Sequence, residues 1–154
     1  MNRREFSALL PAFLSAAALL PEAAHAQSPT SYPPLVSGPY PPGKEYVQQP
    51  GRNSHRFFAG MLPDNIRSEC HATTIEPGTP HEPVGKHLHS EIWFVSEGTV
   101  SLNVNGVEHT LNTGDVGLVT AGDLHYVTNI GKSRSTYFVI TVGPPEPAAV
   151  KVKM

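Results

Sequence analysis

Residues 114–129 read GDVGLVTAGDLHYVTN. Gly114 and Gly122 mark tight turns on either side of a short apolar strand, because glycine alone enters the backbone conformations such turns demand without steric cost. The run that follows presents His125. A single histidine on a strand is usually hydrogen-bonded structure, so the meaning of His125 depends on what another part of the chain brings to it.

That part lies upstream, where residues 85–98 read GKHLHSEIWFVSEG. Side chains alternate faces along a strand, so His87, His89 and Glu91 share one face with Trp93 and Val95. The apolar pair turns that face inward. Burying an unpartnered imidazole costs a few kcal/mol and burying an unpaired carboxylate far more. A divalent cation removes the cost, since imidazole nitrogens at about 2.1 Å and a carboxylate oxygen at a similar distance form one site. One strand cannot surround an ion, and His125 supplies a ligand from a second. The plainer alternative is a strand edge with its polar face in water; Trp93 and Val95 count against it.

Outward from these two stretches the chain is a series of short β-rich runs. Strands are expected near 56–61, 66–76, 91–97, 99–105, 107–111, 115–120, 124–129 and 135–142, with Asn105-Gly106 as a two-residue hairpin turn. Many short strands without an intervening helical pattern indicate an all-β sandwich or barrel. No window after residue 27 sustains the apolar period of an amphipathic helix. With 154 residues, 39% of them hydrophobic, the chain supplies one modest core and one domain. The net charge of -2, without a Lys/Arg cluster beyond the first residues, argues against nucleic acid and anionic membrane surfaces as partners. Cys70 is the single cysteine, so no internal disulfide forms, and its mid-strand position suits a small buried hydrophobe.

The N-terminal residues are of another kind. Residues 1–26 combine a basic start, the apolar stretch Phe6–Leu20 and the small-x-small sequence Ala24-His25-Ala26, which reads as a signal peptide cleaved near Ala26. The stretch is shorter than the roughly 20 residues a membrane-spanning helix needs. Arg3-Arg4-Glu5-Phe6 resembles a bacterial twin-arginine export signal, with Ser7 where leucine is usual; an ordinary secretory leader is the alternative. Either route places the mature chain in the periplasm or outside the cell. Residues 27–55 form a Pro-rich extended arm, with seven prolines between Gln27 and Pro50 that interrupt any ladder of backbone donors. Tyr32, Leu35, Tyr40, Tyr46 and Val47 give the arm something to dock with. The barrel domain is expected over 56–145 and a loose tail over 146–154.

The two motif stretches resemble the conserved motifs of the cupin superfamily. The second family motif, G-x5-P-x-G-x2-H-x3-N, is matched at every spacing by Gly114, Gly122, His125 and Asn129, with Thr120 at the proline position. In the first, G-x5-H-x-H-x3-4-E-x6-G, Glu91 and Gly98 keep their spacing and His87-Leu88-His89 supplies H-x-H, but only Ser90 separates His89 from Glu91. Counting back from Glu91 by the family's gap reaches Gly85 and His87. Three arrangements meet that departure: His89 substitutes for a missing ligand, the strand slips by two residues, or His81 folds back from its loop. The ligand set read here is His87, His89, Glu91 and His125, with His81 in reserve.

The resemblance spans roughly residues 65–142 and implies a single jelly-roll β-barrel, often dimeric, with a metal on three histidines and a glutamate. Cupins include dioxygenases, decarboxylases, isomerases, lyases and binding proteins, so the fold does not choose a reaction. The donor set lacks a thiolate and suits Mn, Fe, Ni, Cu or Zn. An exported metal-dependent enzyme on a small oxygen-rich molecule is the leading expectation, with Glu91 as the candidate base; a non-catalytic periplasmic module binding a metal or small ligand is the alternative. Trp93 and Tyr137 are candidate lining residues, against the plainer reading of both as core. His109 reads as a surface side chain, and His55 and His71 have no partner at motif spacing.

Overall fold

The computed structural model describes residues 32–146. The signal peptide expected at 1–26, the start of the arm and the tail from 147 onward lie outside the described residues. Among the described residues there are nine strands, one 3-10 turn at Pro63–Asn65 and no α-helix. The strands are β1 (Tyr46–Gln49), β2 (Arg52–Leu62), β3 (Ile66–Ile75), β4 (Ser90–Glu97), β5 (Thr99–Val104), β6 (Val107–Asn112), β7 (Val116–Val119), β8 (His125–Asn129) and β9 (Ser135–Gly143).

They form a six-stranded sheet in the order β1-β2-β3-β9-β4-β7 and a three-stranded sheet in the order β6-β5-β8. Every pairing is antiparallel. Period-two alternation sets what each sheet buries. On β4, Glu91, Trp93 and Val95 are buried, while Ile92 and Phe94 are 41% and 43% exposed. The core lies between the sheets, with Ile75, Trp93, Val95, Val119, Tyr137 and Val139 from the larger meeting Val100, Leu102, Leu111 and Val127 from the smaller. This is the jelly-roll barrel expected from the sequence.

The ladder starts ten residues earlier than the expected boundary at 56. β1 pairs with β2 through Tyr46↔Ser54 and Val47↔Asn53. The reason is the placement of the prolines: after Pro42 the next is Pro50, which falls in the turn between the strands, so Tyr46–Gln49 retain their donors. Upstream, the arm packs along β2. Leu35 N–H donates to the Met61 carbonyl at 2.8 Å, Met61 N–H donates to the Pro33 carbonyl at 2.9 Å, and the Tyr40 ring lies 5.1 Å from Phe58.

The turns serve the site. Asn105 and Gly106 have φ of 52° and 85°, the left-handed pair that a two-residue hairpin requires. Asn105 also accepts from the Leu124 amide at 3.0 Å and donates to Asp123 at 2.7 Å, tying the hairpin to the loop before β8. Thr120, at the family's proline position, closes that loop with its hydroxyl, which donates to Asp123 at 2.6 Å. A side-chain hydrogen bond thus replaces the stiffness of a ring.

Candidate metal centre

The site is assembled from three segments at one end of the barrel. Glu91 comes from β4 and His125 opens β8, whereas His87 and His89 lie on the connection that precedes β4. The expectation of one continuous strand carrying all three upstream residues is therefore corrected. A backbone pair places the connection: Gly85 N–H donates to the His125 carbonyl at 2.8 Å, and His125 N–H donates back at 3.0 Å. The Gly122 amide donates to the His87 carbonyl at 2.8 Å, so the turn at 120–123 holds the same segment from its other side.

The result brings one donor atom each of His87, Glu91 and His125 to within 4.8 Å of one another. His125 Nε2 is 3.1 Å from Glu91 Oε2, His89 Nε2 is 3.3 Å from Glu91 Oε1 and His87 Nε2 is 3.9 Å from the same oxygen. His89 thus joins the group through Glu91, outside the tighter trio. His81 does not join: it is exposed and stacks on Tyr126 with ring centroids 4.1 Å apart. Glycine at 85 is a condition of the convergence. A Cβ there would stand 2.8 Å from His125 Nε2 and 3.0 Å from His87 Nε2.

The carboxylate is held firmly. Burial alone would push the Glu91 carboxyl up, but hydrogen bonds from His125 and His89 and the nearby imidazole charges outweigh it and bring it to about 2. Trp93 Nε1 also donates to Glu91 Oε2, at 3.1 Å. Burial pulls the His125 imidazole down, yet the hydrogen bond and charge of Glu91 leave it raised overall, whereas burial lowers His87. The carbonyl of Asp123 lies 3.2 Å from His125 Nδ1. A proton on Nδ1 would be held there, so the proton that Nε2 gives to Glu91 is the one a bound ion would displace. Two imidazoles and an ionised carboxylate, with no arginine or lysine paired to Glu91, fit a divalent transition-metal ion.

The trio faces a cavity of about 410 Å³ lined also by Arg52, His71, Thr73, Glu82, Trp93 and Tyr137. Trp93 and Tyr137 are both core and lining: they are 5% and 3% exposed, and their rings lie 4.9 Å apart. Arg52, 1% exposed, pairs with Glu82 at 2.6 Å and donates to the Tyr137 hydroxyl at 2.8 Å and the Val127 carbonyl at 3.2 Å. Glu82 in turn accepts from the Val127 amide at 3.0 Å. Sequence reasoning missed this pair of a buried arginine and a half-buried glutamate, since Arg52 stood in the expected arm. His71, set aside for lack of a motif partner, also lines the cavity, and its parity with Thr73 and Ile75 on β3 was the available signal. His109 is exposed on β6, as expected.

Residues 71–141 match the cupin domain family. Solved cupins share the fold. An RmlC-like cupin from Shewanella frigidimarina superposes with a TM-score of 0.54 at 19% identity, covering 68% of this chain and 86% of its own. KdgF from a Halomonas species gives 0.55 at 16% identity, covering 66% and 89%. A predicted oxalate decarboxylase from Thermotoga maritima gives 0.52 at 17% identity, covering 67% and 92%. No curated protein matches the chain. The family match covers 71 of the 154 residues, and at these identities the structural likeness shows the fold and no reaction.

Proposed function

We propose that this chain is an exported, metal-dependent cupin that acts on a small oxygen-rich molecule, with dioxygenase-like or isomerase- or lyase-like chemistry. The observation that carries the reading is the trio His87, Glu91 and His125, its donor atoms within 4.8 Å at the wall of the cavity. In this reading His89 is the fourth donor. A Mn, Fe, Ni, Cu or Zn ion bound there would act as a Lewis acid toward a substrate oxygen. The chain's own part follows from its residues. Trp93 holds one oxygen of Glu91 and so orients the carboxylate, which is the candidate base for a substrate proton. Trp93 and Tyr137 wall the pocket and limit water near the reacting atoms.

One feature favours the alternative of a non-catalytic periplasmic binding module. Glu91 already accepts from His125, His89 and Trp93, which leaves it little freedom to move off and take a proton. Residues 1–26 support export, and with it a periplasmic or secreted location. A homodimer is supported by the outer face of the larger sheet, where Ile92, Phe94, Val116 and Leu118 are between 41% and 62% exposed side by side on β4 and β7.

Metal analysis of protein purified from its native compartment, followed by dioxygen-uptake assays with diols and phenols, tests the proposal. Bound metal with substrate-dependent turnover is expected. Metal without turnover or any ligand-dependent spectral change would leave only the binding module, and absence of metal with unaltered stability in His125→Ala would eliminate both.

A further inference from the structure

A second group of metal-ligating side chains lies on the outer side of the connection that carries His87 and His89. Beyond β9 the chain turns back across that connection, and Gly143 permits the approach, since a Cβ there would stand 2.6 Å from His89 Cα and 2.7 Å from its Cβ. Glu146 follows, outside the stretch 71–141 that matches the cupin domain, and accepts the backbone N–H of Leu88, which fixes its carboxylate beside the two histidines. Glu146 Oε1 is 3.0 Å from His89 Nδ1, and Oε2 is 3.9 Å from His87 Nδ1. One donor atom each of His87, His89 and Glu146 lies within 4.8 Å of the others, as in the trio with Glu91. The side chains face a second cavity, of about 300 Å³, lined by Lys86, His87, Leu88, Gly122 and Glu146.

Donors at about 2.1 Å from one ion stand about 3.0 Å apart at a right angle and about 4.2 Å apart across it. Both separations from Glu146 fall within that interval. His89 is 6% exposed, and among the described residues its Nδ1 is buried without a hydrogen-bond partner. Such a nitrogen costs free energy unless something binds it, and an ion does. No arginine or lysine is paired with Glu146 among the described residues, so its charge is free for a cation. We propose that His87, His89 and Glu146 form a second site for a divalent transition-metal ion, across the two rings from Glu91. Two imidazoles and a carboxylate, without a thiolate, suit the same ions as the inner site. A neutral imidazole has one free lone pair, so the rings serve the Glu91 side through Nε2 or the Glu146 side through Nδ1. With three donors against four, the outer site is the weaker and takes the ion when the inner one is disabled. It stands independently of the ion site proposed above.

The test titrates the full-length protein with Zn(II) alone, in competition with a chromophoric chelator, and reads the ligated nitrogen of each ring from long-range proton–nitrogen spectra of the Zn(II)-loaded protein. His125→Ala removes an inner donor and leaves the outer trio whole. It should still bind one Zn(II), more weakly than wild type, with Nδ1 of His87 and His89 as the ligated atoms. Adding Glu146→Ala should lower the affinity at least about 10-fold further, since the loss of a direct ligand exceeds the smallest effect of a change outside the ligand shell. Equal affinity in His125→Ala and the double variant would overturn the proposal, and so would Nε2 ligation in His125→Ala or a folded His125→Ala that binds no Zn(II). Should His125→Ala fail to fold, Glu91→Gln disables the inner site with a side chain of the same size and carries the same measurements. Failure of the inner site reads differently: binding that Glu146→Ala abolishes and His125→Ala leaves unchanged would remove the ion site proposed above and keep the outer one.

Discussion

Replacing Gly85 by alanine should weaken metal binding while leaving the barrel intact. The backbone tolerates the change, because Gly85 is not among the glycines with positive φ. The new methyl has no room, however. It would sit 2.8 Å from His125 Nε2 and 3.0 Å from His87 Nε2, against the 3.4 Å at which contact becomes ordinary. Each nitrogen must therefore retreat by roughly half an ångström, beyond the tolerance of about 0.2 Å expected for metal–ligand distances. Relief by backbone movement is opposed by the paired hydrogen bonds between Gly85 and His125 at 2.8 and 3.0 Å.

Affinity for Zn(II) or Mn(II) should fall about 10- to 100-fold, or about 1.4 to 2.7 kcal/mol. The effect on metal-free stability is smaller, since an overpacking cost of about 1 kcal/mol is offset in part by the reduced entropy of the unfolded chain. Competition with a chromophoric chelator measures the first quantity and urea unfolding the second. An affinity within about threefold of wild type would refute the claim that His87 and His125 converge on one ion through the space at Gly85.

Three further changes separate scaffold from site. Asn129 is buried and makes four hydrogen bonds, donating to the Ile75 and Ser133 carbonyls and accepting from Gly131 N–H and the Ser135 hydroxyl. Asn129→Ala should cost about 2 to 4 kcal/mol in urea unfolding with metal affinity unchanged, and altered affinity in a folded variant would contradict its structural role. Arg52→Met strips Glu82 and Tyr137 of their buried cation and should cost about 3 kcal/mol, part of it recovered in Arg52→Met/Glu82→Met; calorimetric melting curves of the two variants check this, and a double variant no better than the single would count against the pair. For the metal-free protein, Glu91 lies at about 2 when folded against an ordinary 4.5, so the unfolded state takes up the proton first. Its stabilisation, at most about 3 kcal/mol, is present above pH 4.5 and lost as pH falls toward 2. Urea midpoints measured across that window should slope less in Glu91→Gln, and equal slopes would remove the assignment.

Much of the barrel could be read from the chain because its turns and its periodicity are local. Asn105-Gly106 and Gly122 have positive φ where the turns were expected, and the alternation through Glu91, Trp93 and Val95 is the inward face of β4. The start of the sheet was less legible, since proline density marks missing donors but does not say that the few remaining residues, Tyr46–Gln49, will find a partner in β2. Arg52 and Glu82 meet across thirty residues through the register Arg52↔Ile75, and no local pattern announces such a contact.

The shortened gap between His89 and Glu91 shows how a departure from a motif is absorbed. A strand would demand parity, and the histidines need none, because β4 begins only at Ser90 and they sit on an irregular connection. That connection is fixed at two nearby points, by Gly85 against His125 and by the Gly122 amide on His87. Position 85, where the family's spacing places a histidine, then lies against His125 Nε2, so close that even a methyl group would collide. The missing ligand and the space that lets His87 and His125 approach are one feature, and a chain that restored a histidine at 85 would have to rebuild this connection.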